Sequence, residues 1–159
     1  MAIEVLVVDD DEVDREMLKK AIGSLGTITD VATGSECIRL IEDRPIGLIL
    51  LDYKLPDYNG LEVISQVMNL RPETAIIVVT GFDSPELEKA VKDAGALDCV
   101  PKNQVTVEFM MKTVMDNLLA YRNTMEMRSK KLEEDMAVLD NIIKVTKQKL
   151  SAYDKPEES

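Results

Sequence analysis

The chain has 159 residues and a mass of 17.8 kDa, enough for one ordinary domain plus an extension, and its 45% hydrophobic content supplies a real core. It contains no histidine, which excludes His-based metal sites, His general bases and Ser-His or Cys-His nucleophiles. The net charge of −11 is uneven: residues 1–103 carry 20 acids against 10 bases, residues 104–159 carry 10 against 9, and neither part has the basic patch that direct nucleic-acid binding requires.

No segment is apolar over the ~20 residues of a membrane span, and the start, Met1-Ala2-Ile3-Glu4, lacks the basic region of a secretory signal. Only Cys37 and Cys99 are present, both inside regular segments, so no disulfide framework is expected. The expected setting is cytoplasmic, with both thiols reduced and buried.

In chain order, residues 3–103 alternate strand and helix patterns. Apolar runs predict strands at Ile3–Val8, Thr27–Ala32, Gly47–Leu51, Ala75–Thr80 and Leu97–Val100. Between them, helical spacing places Val13, Met17, Ala21 and Leu25 on one face, then Ile38 and Ile41. Leu61, Ile64 and Met68 follow in the third helix, and Leu87, Val91 and Ala94 in the fourth. Asp11 or Glu12 is a cap for the first helix, Ser84-Pro85 opens the fourth, and Gly95 closes it. Such a βαβ series implies right-handed crossovers and a parallel sheet covered on both faces.

From Pro101 the pattern changes. No glycine or proline recurs until Pro156, which leaves room for one helix of roughly 50 residues and ~75 Å. Large or apolar residues fall at 111, 114, 118, 121, 125, 128, 132, 136, 139, 143, 146, 150 and 153. This is a heptad seam with one four-residue stutter at Arg128–Leu132–Met136. Acid-to-lysine pairs Glu108–Lys112, Glu126–Lys130 and Asp140–Lys144 are expected on the outer faces. A domain this small offers only ~20–25 Å of sheet to cover, so the seam calls for pairing, and a parallel homodimer is expected. Residues 1–121 form the predicted domain, 122–154 the coiled-coil extension, and 155–159 a frayed end.

Two apolar strands end in carboxylate, at Asp9-Asp10 and at Asp52. In open α/β sheets ligands bind beyond the carboxyl ends of the strands, so these three acids share one edge. At ~4 Å and an effective dielectric near 20, each like-charged pair repels by roughly 4 kcal/mol, a cost that folding alone does not require. Thr80 ends the fourth strand and Lys102 follows the fifth. The set offers oxygen ligands for a hard cation, for which magnesium suits, with Asp52 as a nucleophile able to form an aspartyl-phosphate. The cation, Lys102 and Thr80 would stabilise charge on the transferring group.

The stretches Val5-Leu6-Val7-Val8-Asp9-Asp10-Asp11, Leu48-Ile49-Leu50-Leu51-Asp52-Tyr53-Lys54-Leu55-Pro56-Asp57-Tyr58-Asn59-Gly60, Ile77-Val78-Val79-Thr80-Gly81 and Ala94-Gly95-Ala96-Leu97-Asp98-Cys99-Val100-Pro101-Lys102 resemble the receiver domain of two-component response regulators. The resemblance implies a flavodoxin-like five-stranded parallel sheet of order 2-1-3-4-5, with helices on both faces and the last helix extended as a coiled coil. It implies that Asp52 takes a phosphoryl group from a sensor histidine kinase or phosphotransfer protein. Asp10 would be a direct magnesium ligand, Asp9 a direct or water-mediated one, and the Lys54 carbonyl a further ligand. Thr80 and Lys102 would contact the phosphoryl group and relay it to the surface of the fourth helix, fifth strand and fifth helix. Lys54 and Phe82, two positions after Asp52 and Thr80, stand where the family tunes autodephosphorylation.

Three positions depart from that pattern. Cys99 stands where an aromatic residue commonly moves on activation, so the relay is expected to run through Thr80 and its loop. Asn103 replaces the usual proline after the lysine, and Gly81 a frequent alanine. The chain would then act as a switch and not as an enzyme. A phosphatase of the haloacid-dehalogenase type expects a second aspartate where Lys54 stands. The remaining alternatives are a dimerisation module with a silent switch and the regulatory part of a larger effector.

Overall fold

The computed structural model describes residues 3–82 and 84–153. The predicted frayed end at 155–159, and residue 154 of the predicted extension, lie outside them. Strands β1 (Ile3–Val8), β2 (Gly26–Val31), β3 (Leu48–Leu51), β4 (Ala75–Thr80) and β5 (Asp98–Pro101) form one parallel sheet in the flavodoxin-like order β2-β1-β3-β4-β5. Helices α1 (Glu12–Ile22), α2 (Gly34–Asp43), α3 (Gly60–Leu70), α4 (Pro85–Ala94) and α5 (Val107–Tyr153) alternate with them, with a 3₁₀ turn at Lys102–Gln104. Three of the five strands differ from the predicted spans, by a residue at one end or both.

Alternation within the apolar runs sorts them between two cores. Leu6, Val8, Ile49, Leu51, Ile76 and Val78 face α2, α3 and α4. Val5, Val7, Leu48, Leu50, Ile77 and Val79 face α1 and the first turns of α5, where Met110 and Val114 are buried. The three central strands are therefore apolar on both sides, as parallel sheets covered by helices are.

The helix ends carry the predicted caps and two more. Asp11 accepts from the amides of Val13 and Asp14, and Ser84 accepts from that of Leu87 ahead of Pro85 at the first helical position. Thr33 and Asn59 do the same for α2 and α3. Gly95 closes α4 at φ +127, where a Cβ would lie 2.8 Å from Met68 Sδ. Gly95→Ala should therefore cost about 1–3 kcal/mol, from the left-handed backbone and the clash together, readable as a lower urea midpoint with unchanged slope.

Two expectations about packing need correction. The face of α1 that turns inward is Leu18, Ala21 and Ile22, while Val13 is 76% exposed. Met17 and Leu25 pack against that face as predicted, so only Val13, in the first turn, departs from it; beside it Arg15 bonds to the Asp9 carbonyl and Asp30, and Asp14 to Lys102. Cys37 is buried, its thiol pushed up to about 12 by burial, but Cys99 on β5 is only half-buried. Neither forms a disulfide.

The chain divides into two compact units, Met1–Leu119 and Ala120–Ser159. In the second, α5 runs on to Tyr153 with Leu132, Met136, Leu139, Ile143 and Leu150 each at least half exposed. Along α5 the i,i+4 pairs that form are Arg122–Glu126 at 3.8 Å and Lys131–Asp135 at 3.0 Å, in place of the three predicted. Exposed pairs of this kind differ by only a few tenths of a kcal/mol, so sequence spacing does not select among them. Among the described residues no helix is long and apolar enough to cross a membrane.

Candidate functional site

Because the sheet is parallel, the ends of β1, β3, β4 and β5 meet at one edge. The residues there are Asp9 and Asp10, Asp52, Thr80 and Lys102. Asp9 is fully buried and Asp52 is 6% exposed, whereas Asp10 faces solvent. Their backbones are fixed by the sheet's extension: the Asp9 amide donates to the Val31 carbonyl and the Asp52 amide to that of Val8. Ligand oxygens of Asp9, Asp10 and Asp52 lie within 4.8 Å of one another.

One cation stands among these acids. Lys102 Nζ lies 3.0 Å from Asp52 Oδ2, 2.8 Å from Asp9 Oδ2 and 2.8 Å from Asp14 Oδ2. The contacts to Asp52 and Asp14 are aligned hydrogen bonds; the one to Asp9 Oδ2 is a close ion pair without that alignment. The other Asp9 oxygen accepts from the Asp11 amide at 2.9 Å. Burial alone would lower the Lys102 pKa, but Asp14, Asp9 and Asp52 outweigh it and hold the ammonium well above the usual lysine range. Burial raises the Asp9 carboxyl above its ordinary value despite the lysine beside it, and repulsion from Asp52 adds to the rise. No ion pair among the described residues involves Asp10.

Thr80 is buried, and its Oγ1 accepts from the Phe82 amide at 3.1 Å. Thr80 and Lys102 line one cavity of about 310 Å³ with Gly81, Pro101, Asn103 and Gln104. Lys102 thus links Asp9 and Asp52, Thr80 shares a cavity wall with it, and Asp10 joins through the carboxylate cluster. Lys54 sits in the loop after β3, held by its bridge to Asn59, with its ammonium 4.5 Å from the Phe82 ring centroid. Asn103 brings no cis peptide, and none occurs among the described residues.

Two acids that sequence reasoning passed over shape this edge. Asp14 continues the acidic run 9–12, a visible signal, yet its pairing with Lys102 spans 88 positions. Asp57, in the loop after Asp52, accepts from the amides of Gly34 and Ser35 and from the Ser35 hydroxyl, tying that loop to the start of α2. Burial would raise its carboxyl, but the bonds from Ser35 and Gly34 together outweigh it and hold the group below the usual range.

A buried aspartate at the end of β3 with a lysine on its oxygen and two acids alongside is the arrangement expected from the motifs. The family model for the response regulator receiver domain matches residues 5–114. The chain belongs to the response regulator receiver family. Among curated relatives, the response regulator MprA of Mycobacterium ulcerans (strain Agy99) is 35% identical over 139 residues, covering 86% of this chain and 55% of its own. The BeF3-activated DrrB receiver domain is 30% identical with a TM-score of 0.67, over 74% of this chain and 98% of that one. A CheY-like receiver domain protein from Methanospirillum hungatei JF-1 is 28% identical with a TM-score of 0.71, over 78% and 99%. The receiver chain spans about half the length of the curated MprA relatives it matches.

Proposed function

We propose that this receiver is a phosphorylation-controlled switch in which Asp52 accepts a phosphoryl group from a sensor histidine kinase or phosphotransfer protein. The observation that carries the reading is Asp52 Oδ2, nearly buried at the end of β3 and 3.0 Å from the Lys102 ammonium. A carboxylate so placed can act as a nucleophile next to the charge that would stabilise an incoming phosphoryl group.

The donor set fits magnesium. Three carboxylates converge, and the buried Asp9 Oδ2 has no aligned hydrogen bond, so a hard cation would take up an oxygen that the protein leaves under-satisfied. Asp9, Asp10, Asp52 and the Lys54 carbonyl would hold it, and it would supply charge neutralisation for donor and acceptor oxygens. Lys102 contributes a donor at the acceptor oxygen, and the buried Thr80 hydroxyl offers one more. The Thr80 hydroxyl could donate to a phosphoryl group while its oxygen still accepts from the Phe82 amide, so one side chain would join the phosphoryl group to the backbone of the following loop. That gives a route from the site to residues 81–84 and α4 without an aromatic ring in the position of Cys99. The output would then run through the α4–β5–α5 surface and the helical tail. A second reading, the regulatory part of a longer effector, draws on the greater length of the matched relatives.

The test is intact mass after incubation with magnesium and a small phosphodonor such as acetyl phosphate: one added phosphoryl group is expected, and none would overturn the switch. The cation site has its own test. Asp10 is the one clustered acid that Lys102 does not touch, so Asp10→Asn should melt roughly 2–4 °C above wild type in a chelator. Millimolar magnesium should raise the wild-type melting temperature and shift the variant much less. Equal magnesium shifts in both proteins would remove Asp10 from the ligand set.

A further inference from the structure

The Lys102 ammonium has three N–H donors and meets three carboxylates, on Asp52, Asp9 and Asp14. The first two belong to the proposed acceptor and cation cluster, so their oxygens are claimed whenever that cluster is occupied. Asp14 lies outside it, in the first turn of α1, with a half-buried side chain. Its backbone is held in place because its amide donates to the capping Asp11 carboxylate at 3.1 Å. Lysine has a long, flexible stem, so its head stays in one place only where a partner holds it. Asp14 is the partner that can keep hold of Lys102 while Asp9 and Asp52 are engaged.

Building on the phospho-acceptor reading above, we infer that Asp14 is a positioning residue that keeps the Lys102 ammonium at the acceptor oxygen of Asp52. The competing account is that Asp14 is merely one more negative charge at the rim. The two differ in sign. Loss of a positioning residue slows phosphorylation, because a displaced donor no longer meets the transferring group. Loss of a repelling charge speeds it, because an anionic phosphodonor approaches more easily.

The experiment is a double-mutant cycle in the full chain. With magnesium and acetyl phosphate, Asp14→Ala should slow labelling of Asp52 roughly 10-fold in the wild-type background, and change it less than about 2-fold in Lys102→Ala. Asp14→Glu, which keeps the carboxylate, should recover part of the rate. Faster labelling, or the same change in both backgrounds, would overturn the role. Thermal melting in a chelator supplies a readout that needs neither cation nor phosphoryl group. Asp14→Ala should lower the melting temperature when Lys102 is present and raise it in Lys102→Ala, where three acids remain without their cation. Shifts of equal sign and size would overturn the pairing itself. Failure of the wild type to take any label would sink the phospho-acceptor reading and this role with it, whereas the melting cycle reports on the Asp14–Lys102 pairing alone.

Discussion

Asp52→Asn should lose phosphoryl acceptance altogether, with its intact mass unchanged under conditions that fully label the wild type. An amide oxygen carries no negative charge and cannot attack a phosphoryl donor as a carboxylate does, so loss to background is expected. The variant should still fold. It removes one nearly buried acid from a crowded edge and leaves Lys102 with Asp9 and Asp14, so no buried charge is stranded. Lys102→Ala should label at the same residue but roughly 100-fold more slowly, the usual cost of one stabilising donor. It should also melt lower, because three carboxylates then face one another without their ammonium. Label on Asp52→Asn at the wild-type rate would move the acceptor to another acid.

The full chain should behave in light scattering as a species of twice 17.8 kDa, whereas a chain ending at Tyr121 should be monomeric while unphosphorylated. The exposed seam drives this. Leu132, Met136, Leu139, Ile143 and Leu150 are 61, 55, 57, 50 and 60% exposed. Burying what remains of each is worth roughly 1–2 kcal/mol, so ten such side chains across two copies gain about 10–20 kcal/mol. Association costs about 4–15 kcal/mol, and Met125, 39% exposed, extends the seam, so pairing is the expected result. Leu139→Asp with Ile143→Asp in the full chain should return it to a monomer with its helical signal reduced. A parallel arrangement predicts a disulfide-linked dimer from Leu150→Cys under mild oxidation. A monomeric wild type at tens of micromolar with an intact helix would refute the pairing.

How far these expectations could be read without a structure follows from the range of the interactions involved. The strands were legible because a strand buried on both faces needs an unbroken apolar run, and Ile3–Val8 and Ala75–Thr80 have the spans foreseen for them. The edge was legible for the same reason: in a parallel sheet every strand ends on one side, so Asp9, Asp52, Thr80 and Lys102 must share it. Capping by Asp11 and Ser84 acts within three residues, and local chemistry decides it. The heptad spacing of the tail likewise announces a helix and its seam.

Only tertiary closure decided the rest. Periodicity put Val13 inside with Met17, Ala21 and Leu25, and of these Val13 alone is exposed. The turn that carries Val13 also carries polar contacts that a window of sequence does not contain, Arg15 with Asp30 and Asp14 with Lys102, the latter 88 residues away. The same holds for Asp57, whose bonds to Gly34 and Ser35 lie across the loop from Asp52. Apolar burial is non-directional and shows in local periodicity, whereas a half-buried ion pair needs its partner within about 3 Å. Local pattern therefore determined which elements form and which ends meet. The folded chain determined which distant polar groups meet, and so which acid outside the cluster reaches Lys102.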